Sequence, residues 1–206
     1  MKPEIRNALV GAMRSVDDVE LALVTAVYRH LLRGTPAAVG ELAADARWDP
    51  SDADERLRTW PAVFRDADDR VIGFWGLTSE PMPIRVRTEV GDASLWCALD
   101  PLFILPLVGT EGIVSAHCSV TSTPITIRVT PERVEALEPA TPAMSLLLLE
   151  GGLQDNVQDV FCHSVLFFAD HEAARTWTAS QPGTFVVTLD EAAELGRAIA
   201  QRMRGS

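Results

Sequence analysis

The stretch of the chain from residue 95 to 108 is apolar except for one carboxylate, Asp100. Cys97 lies three positions before it, so the two share one face of a helix or helical turn. A carboxylate among apolar side chains is costly unless it is paired, and burial raises the pKa of its carboxyl group. Such a group can hold or deliver a proton near neutral pH. The alternative at this point is an Asp100 that caps a helix or pairs with an arginine.

The cysteines are Cys97, Cys118 and Cys162. An odd number without regular spacing argues against a secreted disulfide scaffold, and thiols in a reducing cytosol are free for metal binding or catalysis. Free cysteine often serves only as a small buried hydrophobe. That interpretation is kept for Cys118, whereas the carboxylate near Cys97 and the aromatic frame of Cys162 favour soft-metal or nucleophilic chemistry.

Composition narrows the class of protein. The chain has 206 residues, 47% of them hydrophobic and 23% charged, as in an ordinary soluble globular protein. A net charge of −11 disfavours nucleic acid as a partner. No apolar run approaches the roughly 20 residues that a membrane span needs, and no signal-peptide core follows the N-terminus. The expectation is a cytoplasmic protein without a membrane partner.

The first 80 residues have the element order of a winged helix. Helices are predicted over 16–33, from Pro36 with Thr35 as N-cap through Ala43, and over 50–59, followed by a hairpin of strands 63–65 and 71–75. The third helix is too acidic to enter a DNA groove, since its region carries Asp49, Asp52, Asp54 and Glu55 against Arg47, Arg56 and Arg58. A structural module is therefore favoured over a DNA-binding one.

Pro81-Met82-Pro83 marks a predicted boundary between an N-terminal domain, 1–80, and a second domain, 81–206. The second domain is predicted to hold a mixed or antiparallel β-sheet with flanking helices, which gives an α+β fold. Its strands are predicted over 84–88, 113–118, 125–129, 165–168 and 185–187, and its helices over 95–108, 173–177 and 189–203.

Zinc is an alternative metal. His117-Cys118 and Cys162-His163 supply suitable atoms, but the spacing typical of structural zinc sites is absent. Neighbouring residues of a strand face opposite ways, so Cys162 and His163 are not expected to share a pocket. The sequence also lacks the G-x-S-x-G, P-loop and G-x-G-x-x-G motifs.

Several motifs, in order and with approximate spacing, resemble those of the organomercurial lyases (alkylmercury lyases, MerB). The motifs are Trp96-Cys97-Ala98-Leu99-Asp100, Pro106-Leu107-Val108-Gly109, Val114-Ser115-Ala116-His117-Cys118, Pro124-Ile125, Val129-Thr130-Pro131, Phe161-Cys162, Phe167-Phe168, Trp177, Glu191-Ala192 and Leu195-Gly196. The N-terminal helices and hairpin also match the winged-helix-like domain of that family, so the resemblance covers nearly the whole chain.

The resemblance implies an enzyme that cleaves carbon–mercury bonds by protonolysis, without a separate cofactor, to a hydrocarbon and Hg(II). Carried over by motif, the catalytic residues and mercury ligands are Cys97, Asp100 and Cys162. Mercury is soft and prefers thiolates, in keeping with those residues. The implied partners are an organomercurial substrate, cytosolic thiols that remove Hg(II), and a mercuric reductase.

Three departures from the family pattern leave the catalytic positions intact but bear on substrate range. Pro101 follows the aspartate, Ser122 stands where glycine is common, and the residues after Cys162 lack a further cysteine and histidine. Two other functions stay open. One is a relative recruited to a different bond cleavage, and the other is a metal-sensing regulator with a winged helix.

Overall fold

The computed structural model of the chain describes residues 1–148 and 161–205. In chain order the elements are α1 (Pro3–Ala12), α2 (Asp18–Leu31), α3 (Val39–Ala46), α4 (Pro50–Thr59), β1 (Val63–Arg65), β2 (Val71–Phe74), β3 (Leu77–Thr78), β4 (Ile84–Thr88), β5 (Gly91–Leu95), α5 (Asp100–Val108), β6 (Gly112–His117), β7 (Pro124–Val129), β8 (Val134–Glu138), β9 (Ala143–Leu147), a 3₁₀ helix (Cys162–Ser164), β10 (Phe167–Phe168), α6 (His171–Thr178), β11 (Thr184–Thr188) and α7 (Leu189–Met203).

The strands form two sheets. The larger has eight strands in the order β1-β2-β3-β5-β4-β6-β7-β8, and the smaller has the order β10-β9-β11. Every strand pair within the described residues is antiparallel. The predicted α+β class, with an antiparallel sheet and flanking helices, is confirmed.

The helices predicted in the N-terminal part are confirmed, but the predicted start of the second was wrong, because α3 begins at Val39 with Ala38 as its N-cap and not at Pro36. Asp17 begins α2 by accepting a hydrogen bond from the Glu20 N–H at 2.8 Å, and Asp49 accepts one from the Ser51 N–H, also at 2.8 Å, at the start of α4. The apolar face of α2 is buried in the core. Helix α1 was not predicted from the sequence.

The predicted hairpin is confirmed as β1 paired with β2. It continues the large sheet, because β3 pairs with β2 on one side and with β5 on the other. One sheet therefore runs across position 80. The winged-helix description of the first 80 residues and the division into 1–80 and 81–206 stay predictions.

One strand predicted beyond position 80 was too long, and three strands there were not predicted. The strand predicted over 165–168 covers only 167–168, and β5, β8 and β9 were missed. The side chains of β8 are at most half-buried, so it lacks a clear apolar face. The β9 segment is a short apolar run, whose periodicity cannot separate strand from helix.

The helix predicted over 95–108 begins later than expected. The strand β5 ends at Leu95, a turn follows, and α5 begins at Asp100 with Pro101 in its first turn. Proline is favoured there because the first helical N–H groups have no partner within the helix. Every residue of α5 is buried.

Helix α7 packs along α5 and fixes its position. Its start is secured by a reciprocal cap between Thr188 and Glu191. At its end the Arg204 guanidinium donates to the carbonyl oxygens of Pro106 and Leu107 at 2.7 and 2.8 Å. These carbonyls lie at the end of α5, where no further turn of helix follows, and that of Pro106 also accepts a hydrogen bond from the Gly109 N–H at 3.3 Å. Among the described helices, none is both long and apolar enough to cross a lipid bilayer.

We expect Gly196→Ala to destabilise the protein by about 1–3 kcal/mol, as overpacking does. A Cβ at Gly196 of α7 would lie 2.3 Å from the Leu102 carbonyl oxygen of α5, and backbone cannot rotate away as a side chain can. Gly40→Ala is the matched control, because Gly40 is also helical and its Cβ would meet nothing within 4 Å. Urea unfolding measures both. Equal free energies of unfolding for the two variants would contradict the tight α5–α7 contact.

Candidate active site

Three buried side chains meet beside the start of α5. One ligand atom each from Cys97, Asp100 and Cys162 lies within 4.8 Å of the other two. The residues are 1%, 5% and 5% exposed. The structure thus brings together the three residues that the sequence analysis singled out, although Cys162 lies 65 positions beyond Cys97.

Backbone contacts bring the two cysteines together. Cys97 lies in the turn between β5 and α5, and Cys162 begins the 3₁₀ helix. The N–H of Ala98 donates to the carbonyl of Val165 at 3.0 Å, and the N–H of Val165 donates to the carbonyl of Cys162 at 3.3 Å. Two hydrogen bonds therefore connect the turn that carries one thiol to the helix that carries the other.

Asp100 folds back over the turn. Its Oδ2 accepts a hydrogen bond from the Cys97 N–H at 2.6 Å. Among the described residues no arginine or lysine forms an ion pair with it, so the arginine-paired alternative is wrong. The carboxylate is held by backbone instead.

The pKa of the Asp100 carboxyl group lies near neutral pH. Burial raises the pKa of its carboxyl group from 3.8 to about 7, although hydrogen bonds from the Cys97 N–H, the Cys97 thiol and the Trp96 N–H act in the opposite direction. Burial also raises the pKa of the Cys97 thiol, and the hydrogen bond to Cys162 and the charge of Asp100 raise it further. Cys97 is therefore a thiol at rest, and a base beside it must accept its proton before it can act as a thiolate.

A glycine forms the wall behind the carboxylate. Gly76 has a φ of +97°, and a Cβ there would lie 2.4 Å from Oδ1 of Asp100. The Tyr28 hydroxyl donates to the carbonyl of Trp75 at 3.0 Å and so fixes the turn that contains Gly76. Sequence reasoning missed both residues. Gly76 is not part of any recognisable motif, and Tyr28 occupies a position of α2 where the sequence pattern predicts only a buried apolar side chain.

Two cavities adjoin the cluster. The inner cavity, about 20 Å³, is lined by Asp100 and Cys162 together with aromatic and apolar side chains, among them Phe103 and Phe161. The outer cavity, about 260 Å³, is lined by Cys162, His117 and His163 among others. The prediction that Cys162 and His163 do not share a pocket was wrong, because they lie on a 3₁₀ helix and not on a strand.

Cys118 lies outside the cluster. It is buried just beyond β6, and its Sγ accepts a hydrogen bond from the Thr121 N–H at 3.4 Å. Burial raises the pKa of its thiol, but hydrogen bonds from the Thr121 side chain and from nearby backbone outweigh burial and lower the pKa overall. In the same turn Ser122 has a φ of +58°, so serine here adopts the conformation that glycine would favour.

The family model of alkylmercury lyase (MerB) matches residues 77–201, which include the whole cluster. The chain belongs to the alkylmercury lyase family. It is 30% identical to an alkylmercury lyase of Staphylococcus epidermidis over 94% of this chain and 90% of that protein. It is 31% identical to one of Pseudomonas putida over 88% of this chain and 84% of that protein.

A solved structure shares the fold of this chain. It is described as the crystal structure of the mercury-bound form of MerB2, with a TM-score of 0.71 over 97% of both chains and 15% sequence identity. Family membership identifies the chain as an enzyme that acts on the carbon–mercury bond of organomercurials.

We expect Gly76→Ala to slow carbon–mercury cleavage on the order of a hundredfold, because its methyl group must displace the Asp100 carboxylate. Gly109→Ala is the matched control. Gly109 also has a left-handed φ, +71°, but a Cβ there would meet nothing within 4 Å. Both variants introduce backbone strain, because each places a Cβ at a left-handed φ. An equal loss of rate in the two variants would therefore show that strain, and not displacement of the carboxylate, is responsible.

We expect Asp100→Asn to stabilise the protein increasingly as the pH rises from about 4 to about 7. The folded state raises the pKa of Asp100 above its ordinary 3.8, so the folded state binds more protons in this window and wild-type stability falls with rising pH. The amide of asparagine does not titrate, so the free energy of unfolding of the variant does not fall in this way. The gain in free energy of unfolding should level off above pH 7 at about 4 kcal/mol, the value that thermodynamic linkage gives for a pKa shift of this size.

Chemical unfolding at several pH values checks the stability of Asp100→Asn. Asp52→Asn, at an exposed position of α4, serves as the control. A difference between wild type and Asp100→Asn that stays constant from pH 4 to 8 would rule out a buried carboxylate with a raised pKa.

Proposed function

We propose that the enzyme cleaves the carbon–mercury bond of alkyl- and arylmercury compounds by protonolysis, with Cys97, Cys162 and Asp100 as the catalytic residues. The observation that carries the proposal is the convergence of two buried thiols on one carboxyl group whose pKa is raised to about 7. The MerB2 structure of the same fold is a mercury-bound form, which supports mercury as a ligand of this fold.

The thiols bind the metal. Hg(II) is soft and prefers thiolate ligands, and two sulfur atoms within 4.8 Å of each other can both reach one mercury atom. Each thiolate that adds to R–Hg⁺ pushes electron density towards the carbon. The carbon–mercury bond is thereby made easier to protonate.

Asp100 moves the proton. As ionised carboxylate it accepts the proton of Cys97, whose Sγ then bonds to mercury. As carboxylic acid it delivers the same proton to the carbon as the carbon–mercury bond breaks. Cys162 bonds to R–Hg⁺ as a thiolate after its own proton has passed to solvent or to the ligand that the mercury carried in. The products are R–H and Hg(II) held by two thiolates. A pKa of about 7 suits both directions of transfer, because neither protonation state is strongly disfavoured at neutral pH.

The N-terminal part completes the pocket. The predicted second domain, 81–206, supplies all three catalytic residues, while Met13, Ala62, Trp75 and Gly76 from the first 80 residues line the inner cavity. We assign the winged-helix-like segment this structural role and no nucleic-acid partner, because α4 is acidic in its first turn. A pocket closed on that side excludes competing ligands and strengthens local electrostatics.

The remaining parts of the proposal concern the cell. We infer that the enzyme works in the cytoplasm without a separate cofactor, and that cytosolic thiols or a mercuric reductase take up the Hg(II). These partners follow from the chemistry, since tightly bound Hg(II) leaves thiolates only for other thiols.

We expect Cys97→Ser, Cys162→Ser and Asp100→Ala each to lower the rate of hydrocarbon release from methylmercury or phenylmercury by at least about a hundredfold, since each removes a reacting group. Cys118→Ser is the matched control and should keep the wild-type rate, because Cys118 lies outside the cluster. The assay measures hydrocarbon and Hg(II) in the presence of excess thiol. A wild-type protein without turnover would refute the proposed function and favour recruitment to another bond cleavage.

A further inference from the structure

The turn between β2 and β3 has an unfavourable backbone conformation. It consists of Trp75 and Gly76, and both have a left-handed φ, +34° and +97°. Glycine adopts such values readily, but a residue with a Cβ rarely does. Strained residues of this kind persist only where the surrounding structure fixes them, and they are common at functional sites. A strained tryptophan at this point therefore indicates that the position of the turn matters.

Hydrogen bonds hold the turn from several sides. The Trp75 indole N–H donates to the carbonyl of Pro61 at 2.6 Å, and the Trp96 N–H donates to the carbonyl of Gly76 at 2.9 Å. The Tyr28 hydroxyl donates to the carbonyl of Trp75 at 3.0 Å. Of these contacts, the one from Tyr28 joins the turn to helix α2.

Tyr28 is a fixed donor. Its side chain is completely buried, and its ring meets that of Phe74 edge to face, with 5.1 Å between the ring centroids. Burial raises the pKa of its hydroxyl, and the charge of Asp100 raises it further, so the hydroxyl keeps its proton. Among the described residues that line the two cavities, Tyr28 is not found. It therefore acts on the reaction only through the turn.

The other side of the turn faces the carboxylate. A Cβ at Gly76 would lie 2.4 Å from Oδ1 of Asp100, whereas Oδ2 accepts the hydrogen bond from the Cys97 N–H at 2.6 Å. The carboxylate is thus held between the N–H of Cys97 and the backbone of Gly76. The terminal torsion of an aspartate side chain is soft, so a turn that moved away would leave the group free to rotate.

We propose that Tyr28 is a positioning residue for the cleavage step, whose hydroxyl holds the Trp75–Gly76 turn against Asp100 and so keeps the carboxyl group aimed at the reacting carbon. The inference rests on the proposed function in one respect, namely that Asp100 delivers the proton. It gives α2 a part in the reaction, although α2 does not touch the substrate. Small displacements of a proton donor lower the rate steeply, which is why such support is needed.

A purely structural Tyr28 is the alternative, and Tyr28→Phe separates the two roles. The variant keeps the ring and its contact with Phe74 but loses the hydroxyl. The readout is the single-turnover rate of hydrocarbon release from methylmercury at rising enzyme concentration, whose maximum reports cleavage and whose half-saturation reports binding. Positioning predicts a maximum about tenfold lower at unchanged half-saturation, because the thiols that bind mercury are untouched. A structural role predicts a lower free energy of unfolding alone.

Thr78→Val is the matched control. Thr78 is also buried, and its hydroxyl donates to a backbone carbonyl of the same hairpin, that of Ile72, at 2.8 Å. We expect this variant to keep the wild-type maximum. Equal losses in the two variants, or no loss in Tyr28→Phe, would overturn the proposal. Should Tyr28→Phe not fold, Trp75→Phe removes the indole bond to Pro61 and is expected to lower the maximum in the same direction.

A second readout does not depend on cleavage. Crystal structures of the wild type and Tyr28→Phe, both free of mercury, measure the position of the Asp100 carboxyl group. We expect it to move by more than about 0.5 Å, the precision with which a catalytic group must be held. An Asp100 that stays in place would overturn the proposal even in an enzyme that cleaves normally. A shifted Asp100 in an enzyme that releases no hydrocarbon would refute the proposed function and keep the contact between the turn and the carboxylate.

Discussion

The contact between the Asp100 carboxylate and the backbone N–H of Cys97 organises the site. Burial alone would leave the carboxyl group neutral, because a charge without a partner is strongly disfavoured in an apolar interior. Backbone N–H groups and the Cys97 thiol stabilise the charged form, and the balance puts the pKa at about 7. An arginine partner would hold the pKa of the carboxyl group well below neutrality. The protein thus uses neutral donors, and the carboxyl group keeps a pKa at which both protonation states are accessible.

The fold maintains this balance by holding α5 in place on three sides. Behind the carboxylate, the absence of a side chain at Gly76 lets the backbone come close to Asp100. Along the helix, Gly196 allows α7 to touch the α5 backbone, and at its far end Arg204 bonds the last carbonyls. Because α5 is buried throughout, a shift at any of these points would reach the carboxylate directly.

More of the site than of the fold around it could be predicted from the sequence. Cys97 and Asp100 are close in the chain, and the motif around them resembles one family, so their proximity needed no tertiary information. Cys162 was joined to them only through that resemblance. Gly76, Tyr28 and the outer cavity were missed because they depend on contacts across the sheet and between helices, and no local pattern encodes those. The strand β8 was missed because its half-exposed side chains carry no alternation.

The two cysteines carry identical chemical groups, and their surroundings divide the work between them. Cys97 is buried beside Asp100, and its raised pKa keeps it a thiol at rest. Cys162 borders both cavities, and the larger one does not include Asp100 in its lining. Under the proposed mechanism the thiol beside Asp100 exchanges a proton with it, whereas Cys162 contributes only a mercury ligand.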